Sequence, residues 1–308
     1  MIQLFNVPKY RVDSSRFSNL LHDPVRDRVE QRIAEYVGAD YCVALGSCTD
    51  AIFLSLQSIG QGVVCTVPTL VTSRFLGAIV HSHNEYVFTD DADWVGHEYV
   101  LYQNSNMKII DSAQRLDPLQ FEEYEDNDLL LLSVYPTKPL GGLKGGFVVS
   151  NDKERIEWIR QAAYFGEQFS TESWNSTPGF IGWQKYMNSV EAYFVERSLD
   201  IYQKKRDKMD IVRYQYKENL SNIVTADSYH LFRIRVDDNR GFLTKMVAKG
   251  IVCGIHYTCC HSDSVYGSGG RYLRSERDAE TVVSIPFHDA LTQQQVSKVI
   301  KEIHSYEA

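Results

Sequence analysis

The chain has 308 residues, of which 44% are hydrophobic and 23% charged, and its formal net charge is −8. That balance is ordinary for a folded water-soluble chain and lacks the basic footprint that a nucleic-acid backbone requires. No apolar run approaches the roughly 18 residues of a membrane span, and no charged segment followed by an apolar core marks a signal peptide, so a cytoplasmic location is expected.

Asp23-Pro24 reads as a helix start, with Val25, Val29 and Ile33 repeating every four residues and Gly38 as the stop. A strand is predicted over 41–45, running through Gly46-Ser47-Cys48-Thr49-Asp50 into a helix over 51–59. The alternation continues with a strand over 63–67, a helix over 70–80, and strands over 86–88 and 108–110. The stretch 129–135 is a continuous apolar run, the pattern of a strand buried on both faces. A strand over 147–150 and a helix capped by Asn151 or Asp152 follow, with the helix running to Phe165 and closed by Gly166. Residues 167–181, rich in Ser, Thr and Gly, read as a loop, and 182–219 as one long helix. Strands are then predicted over 229–236 and 251–257, with a helix over 241–249 between them. Thr292-Gln293-Gln294-Gln295 is a capping box ahead of a last helix carrying Val296, Val299, Ile300 and Ile303 on one face. Strands alternating with helices predict an α/β fold with a mostly parallel, mixed sheet flanked by helices. The long helix over 182–219 links two units, and the change of pattern after it predicts a large domain over 1–205 and a small α+β domain over 206–308.

Six cysteines, Cys42, Cys48, Cys65, Cys253, Cys259 and Cys260, form no C-x-x-C pair and read as reduced thiols. His256, Cys259, Cys260 and His261 cluster, but their spacing fits no structural zinc site, so no metal is expected.

Three segments carry the chemistry. The strand-to-helix turn Ser47-Cys48-Thr49 offers free backbone N–H groups and two hydroxyls, a seat for a phosphate. Asp111-Ser112-Ala113-Gln114 places a carboxylate at the end of an apolar strand, where α/β sheets bind ligands. Ser133-Val134-Tyr135-Pro136-Thr137-Lys138 brings a lysine out of a buried strand into a turn with Gly141-Gly142 and Gly145-Gly146. Taken singly, each has a plainer reading: a helix cap, another cap, and a surface lysine with Lys144 as its rival. Together they match the needs of pyridoxal 5'-phosphate (PLP): an amine to bond its aldehyde, a carboxylate to hold its ring nitrogen protonated, and a helix start for its phosphate.

These segments resemble the DegT/StrS family of PLP-dependent sugar aminotransferases, of the aspartate-aminotransferase fold (type I). Ser133 to Lys138 is similar to the family's SFYPTK, Asp111 to Gln114 to its EDAAQ, and Val67-Pro68-Thr69 to its VPSFT. In the small domain, Tyr229 to Val236, Gly254-Ile255-His256-Tyr257 and Ser284 to His288 resemble YHLFPIRV, GVHYP and SLPLH. The resemblance implies that Lys138 is the Schiff-base lysine and proton shuttle, that Asp111 pairs with the pyridinium, and that Gln114 approaches the ring hydroxyl. It also implies that Ser133 and the turn of Ser47, Cys48 and Thr49 hold the phosphate, and that Gln184 reaches a neighbouring subunit's phosphate within a homodimer with shared sites. His256, Tyr257 and His261 are candidate substrate contacts. The implied reaction moves an amino group, with glutamate as the expected donor, to a keto group on a small nucleotide-linked sugar. Lys138 argues against the dehydratase branch, which carries histidine there. The sequence departs from the family at Thr72, where an aromatic covers the cofactor ring, and at Tyr186, where the family has arginine. These departures leave a second PLP reaction open: isomerisation, decarboxylation or elimination on an amino-acid-like or modified-nucleotide substrate.

Overall fold

The protein was analysed as a computed structural model that describes residues 1–168 and 177–307, so the loop expected over 167–181 lies partly outside the described residues. Helix α1 (Val25–Val37) starts where the Asp23 carboxylate accepts the Val25 N–H at 2.9 Å, and stops at Gly38 in left-handed backbone at φ 79°. Its Val25, Val29, Ile33 and Val37 are buried, as their spacing predicts. β1 (Tyr41–Leu45) then feeds α2 (Cys48–Ile59) through Gly46. β2 (Val64–Pro68) and β3 (Glu85–Thr89) pair in parallel around α3 (Leu76–His81). The helix expected over 70–80 begins late because Leu70 stays extended and bridges Cys259.

β4 (Tyr99–Gln103), β5 (Lys108–Ser112), β6 (Leu129–Ser133) and β7 (Gly146–Ser150) complete a five-stranded sheet in the order β1-β7-β6-β5-β4. The α/β layering and the mixed sheet are as expected, but β5 with β6 is the one parallel pair in it. Two features lower the parallel share. β7 runs against both its neighbours, and β4 turns straight back into β5 through residues 104–107, where the Asn104 side chain accepts the N–H groups of Asn106 and Met107. A parallel crossover needs roughly a dozen residues, so so short a link forces an antiparallel pair. In β6, Leu129 and Leu131 pack into one core and Leu130 and Leu132 into the other, which explains the unbroken apolar run. α4 (Lys153–Ala163) packs over β1 and α2.

The single helix expected over 182–219 is two helices, α5 (Ser189–Leu199) and α6 (Tyr202–Asn219). Asn188 and Glu191 form a capping box that fixes the start of α5, leaving 182–188 outside the helix. Gly182 is there for close packing, since a Cβ on it would lie 1.9 Å from Gly166 N.

Beyond α6, β8 (Ile223–Thr225), β9 (Phe232–Arg235) and β10 (Val282–Ile285) form an antiparallel sheet in the order β10-β9-β8. α7 (Asn239–Ala248), α8 (Leu273–Thr281) and α9 (Gln293–Glu307) accompany it, and the Thr292 capping box forms as read. β9 is shorter than the strand expected over 229–236 because Ser228 Oγ accepts the N–H groups of His230 and Leu231. The strand expected over 251–257 is reduced to isolated bridges, Ile251 to Ile2 and Gly254 to Ser284. A third core joins Met209, Tyr216, Phe232, Phe242 and Val299 with Ile2, so the N-terminal residues pack onto the C-terminal part. All six cysteines are free thiols.

Candidate active site

β1, β5 and β6 point the same way and end at one edge of the sheet. The chain leaving each of them carries one of the three motifs, at the strand ends where open α/β sheets bind ligands. Gly146 opens β7 between Leu45 of β1 and Ser133 of β6. A Cβ on Gly146 would lie 2.4 Å from Cys48 N and 2.6 Å from Cys48 Cα, so only glycine lets β7 pass this close to the start of α2. The loop carrying Lys138 is tied at its base by Val134 N–H to Gly145 O and by Gly142 N–H to Val134 O.

The strand ends enclose a cavity of about 470 Å³, lined by Ser47, Cys48, Thr49, Asp111, Gln114, Ser133, Lys138, His256 and Tyr257. At its helical wall, Ser47 Oγ accepts the Asp50 N–H and donates to Asp50 Oδ2 at 2.7 Å. Ser47 therefore acts as the helix cap, and the donors left for an anion are the first N–H groups of α2 and the Thr49 hydroxyl. Lys185 offsets the Asp50 charge at this helix start with a 2.5 Å ion pair. Ser133 Oγ makes only a long 3.4 Å contact to the Tyr135 N–H.

Asp111 is buried, and its carboxylate accepts the Ala113 N–H at 3.0 Å and the Tyr99 hydroxyl at 2.9 Å. Burial raises its pKa, while these two hydrogen bonds and the Lys138 charge pull it back down. Gln114 is also buried, with Oε1 accepting the Gly96 N–H at 3.0 Å, which leaves Nε2 as its free donor. Lys138 sits half-buried in the cavity wall, and its Nζ has no hydrogen bond or ion pair among the described residues. Burial lowers its pKa, which favours the neutral, nucleophilic amine, and the Asp111 charge opposes that shift. Lys144, its rival, is exposed at the mouth of the same cavity.

His256 Nδ1 bonds Ser284 Oγ at 2.9 Å, and burial pushes its pKa down to about 3. Tyr257 stacks parallel to Trp94, ring centroids 6.3 Å apart. His261 does not reach the cavity. Its ring is buried against Thr69 Oγ1 at 2.7 Å and Glu276 at 3.4 Å, tying the loop after Tyr257 to the end of β2. Gln184 lies outside the cavity too, exposed and 3.5 Å from the Tyr186 hydroxyl.

Sequence reading missed three residues here. Trp94 lines the wall and donates its Nε1–H to Leu70 O at 3.1 Å, beside the loop that carries Thr72. Tyr99 holds Asp111, and His230 faces the same cavity from the C-terminal part. Trp94 and Tyr99 lie in no motif, whereas a lone histidine opening an apolar strand was a signal available at His230.

The sequence profile of the DegT/DnrJ/EryC1/StrS aminotransferases matches residues 12–96 and 125–304. The chain belongs to this family. The unmatched stretch 97–124 holds the β4–β5 hairpin together with Asp111 and Gln114, so here the geometry speaks where the profile does not. One relative is the dTDP-3-amino-3,6-dideoxy-alpha-D-galactopyranose transaminase of Aneurinibacillus thermoaerophilus, 22% identical over 91% of this chain and 89% of that protein. The aminotransferase TlmJ of Streptoalloteichus hindustanus superposes with a TM-score of 0.84 at 20% identity, covering all of both chains. The PLP form of the sugar aminotransferase Spr1654 of Streptococcus pneumoniae superposes at 0.81 with 17% identity, covering 98% of this chain and 97% of that one.

The donor set fits PLP. A bare amine, a buried carboxylate held by two donors, an open helix start and the Gly146 cradle converge on one cavity. A ligand that uses the amine, the carboxylate and the helix start together accounts for their sharing one pocket.

Proposed function

We propose that this aminotransferase binds PLP through Lys138 and moves an amino group from glutamate to a keto group on a nucleotide-linked sugar. The observation that carries this reading is the meeting of Lys138, Asp111 and the start of α2 in one cavity. When bound, the cofactor supplies an electron sink next to the reacting carbon. The residues supply the rest. Asp111 would hold a proton on the ring nitrogen, and Tyr99 and the Ala113 N–H orient Asp111 and favour its charged form against the effect of burial. The first N–H groups of α2, the Thr49 hydroxyl and Ser133 seat the phosphate. Gln114 Nε2, left free by the Gly96 bond, would be the donor for the ring hydroxyl. Lys138, with burial favouring its neutral form, would be the base that accepts and returns the proton moved during amino transfer.

Arg74 and Lys144, both exposed at the cavity wall and without a carboxylate partner among the described residues, suit the diphosphate of a nucleotide-linked substrate. His256 and Tyr257 are placed to touch its sugar. Family membership favours a homodimer in which Gln184 serves the partner's site. Exposed Leu20, Leu21 and Ile181 flank the segment bearing Gln184, where Leu20 O accepts the Ser189 N–H. Six free thiols agree with a reducing, cytoplasmic setting.

Adding glutamate to the yellow holoenzyme tests the reaction. Transamination converts the cofactor to its pyridoxamine form and bleaches the yellow band, with 2-oxoglutarate released in equal amount. An unchanged spectrum with glutamate contradicts the assigned donor, and loss of carbon dioxide or ammonia in place of 2-oxoglutarate contradicts transamination.

A further inference from the structure

Two anions share the start of α2. One is the phosphate that the site is read to hold, and the other is Asp50, the third residue of that helix. The Asp50 carboxylate accepts the Ser47 hydroxyl at 2.7 Å, and the Asp50 N–H goes to Ser47 Oγ at 3.1 Å. Ser47 lines the cavity, so a carboxylate stands one hydrogen bond behind the cavity wall. A carboxylate in the first turn is attracted to the positive end of the helix dipole, which is the charge a phosphate also needs. Left uncompensated, Asp50 would make this helix start a poor seat for a dianion. Glu191 adds to the difficulty, because its charge also bears on Asp50 while its carboxylate accepts the Asn188 N–H at 3.1 Å.

Lys185 supplies the compensation. Its Nζ meets Asp50 Oδ1 at 2.5 Å and lies 4.8 Å from the centre of the Phe53 ring, one turn further along α2. The side chain is fixed at its root. Lys185 O accepts the Gly46 N–H at 2.7 Å, and the Lys185 N–H donates to Ala163 O at 2.9 Å. The backbone that carries the ammonium is therefore stitched to the turn that opens α2. Among the described residues, Lys185 is the cation that ion-pairs with Asp50. It is not part of the cavity lining, so its effect on a bound phosphate passes through Asp50. Lys144 stands at the mouth of the cavity instead, where Glu191 also feels its charge.

We propose that Lys185 cancels the Asp50 charge behind the start of α2 and so makes that helix start selective for a phosphate dianion. Lys185 is a positioning residue in this sense. It touches neither phosphate nor ring, and it sets, through Asp50, the charge that the phosphate meets. This rests on the start of α2 being the phosphate seat.

The test titrates the full apo chain with PLP and, separately, with pyridoxal, which has the same aldehyde and ring and lacks the phosphate. The yellow band reads both dissociation constants. Both ligands use Lys138 and Asp111 in the same way, so a distorted pocket weakens both, whereas a change of charge at the seat alters their ratio. Lys185→Met should weaken PLP roughly ten- to hundredfold and leave pyridoxal within about twofold. The loss should be larger at low salt than at high. Lys185→Arg keeps the charge and should keep the preference for PLP. Asp50→Asn keeps an acceptor for the Ser47 hydroxyl and removes the charge. It should raise the preference on its own and restore it in the Lys185→Met background. Equal weakening of PLP and pyridoxal in Lys185→Met, or a preference that Asp50→Asn fails to restore, would show that the pair only holds the fold and would overturn the inference. Should Lys185→Met fail to fold, read by melting of the apo chain, Asp50→Asn alone decides, and a preference unchanged or lowered there overturns the inference. Thr49→Val separates the two levels. A Thr49→Val chain with its full preference for PLP overturns this inference together with the phosphate seat beneath it. A preference lost in Thr49→Val but unaltered in Lys185→Met overturns this inference alone.

Discussion

Lys138 and Asp111 each carry a charge state that the other helps to set. Burial disfavours both charges, and each charge favours the other. Replacing either should therefore damage the site in a distinct way. Lys138→Ala should abolish the yellow band and reduce turnover by roughly 10²–10⁴-fold or more, read by absorbance and by steady-state rates. Asp111→Asn keeps the shape but removes the charge that holds the ring proton, and should cost roughly 10²–10³-fold in turnover with the yellow band retained. Tyr99→Phe should cost less, about tenfold, because it removes one of two hydrogen bonds to the Asp111 carboxylate. His256 gives a pH signature. Its folded pKa is depressed toward about 3, below the ordinary value of 6.5, so the unfolded chain binds the extra proton. The stability it contributes is complete above about pH 6.5 and is lost as pH falls from there toward 3. The melting temperature of the apo chain should fall from pH 7 to pH 5, and more shallowly in His256→Gln.

The elements explain why these residues meet. A helix start, a strand end and a loop base converge at Gly146, so Gly146→Ala is a test of architecture. Its Cβ would press on Cys48 backbone, which cannot move aside without shifting α2. The substitution should cost roughly 1–3 kcal/mol and weaken cofactor binding, measured by denaturant melts and PLP titration. The glycine pairs around Lys138 were visible in the sequence as a hint of close backbone approach, and that hint is borne out by the contact at Cys48. β1, α1 and β6 were also legible, because periodicity, the Asp23 and Gly38 caps and the apolar run each had one local cause. The reversal of β4 was not legible. It follows from the shortness of the 104–107 link, and no propensity in Tyr99–Gln103 records strand direction. The late start of α5 was equally hidden, since Asn188 reads as a cap only once the chain before it is seen to pack on Gly166. His261 shows the opposite failure. Proximity in sequence to His256 and Tyr257 suggested a shared site, but the turn after Tyr257 carries it to Thr69.

At the scale of the molecule, the large sheet supplies Lys138, Asp111 and the α2 start, while the C-terminal part supplies His230, His256 and Tyr257. We propose the unit boundary near residue 205, with the N-terminal residues joining the C-terminal unit through Ile2. Substrate size is written on the rim. Arg74→Gln combined with Lys144→Gln should raise KM a few-fold for a diphosphate-linked keto sugar, more at low salt than at high, and leave the glutamate half-reaction unchanged. All of this depends on where the cofactor is bonded. The most direct measurement is borohydride reduction of the holoenzyme followed by peptide mapping. The account predicts one reduced pyridoxyl group per chain, on Lys138. A reduced group on Lys144 or Lys185, or none at all in a chain that still transaminates, would contradict it.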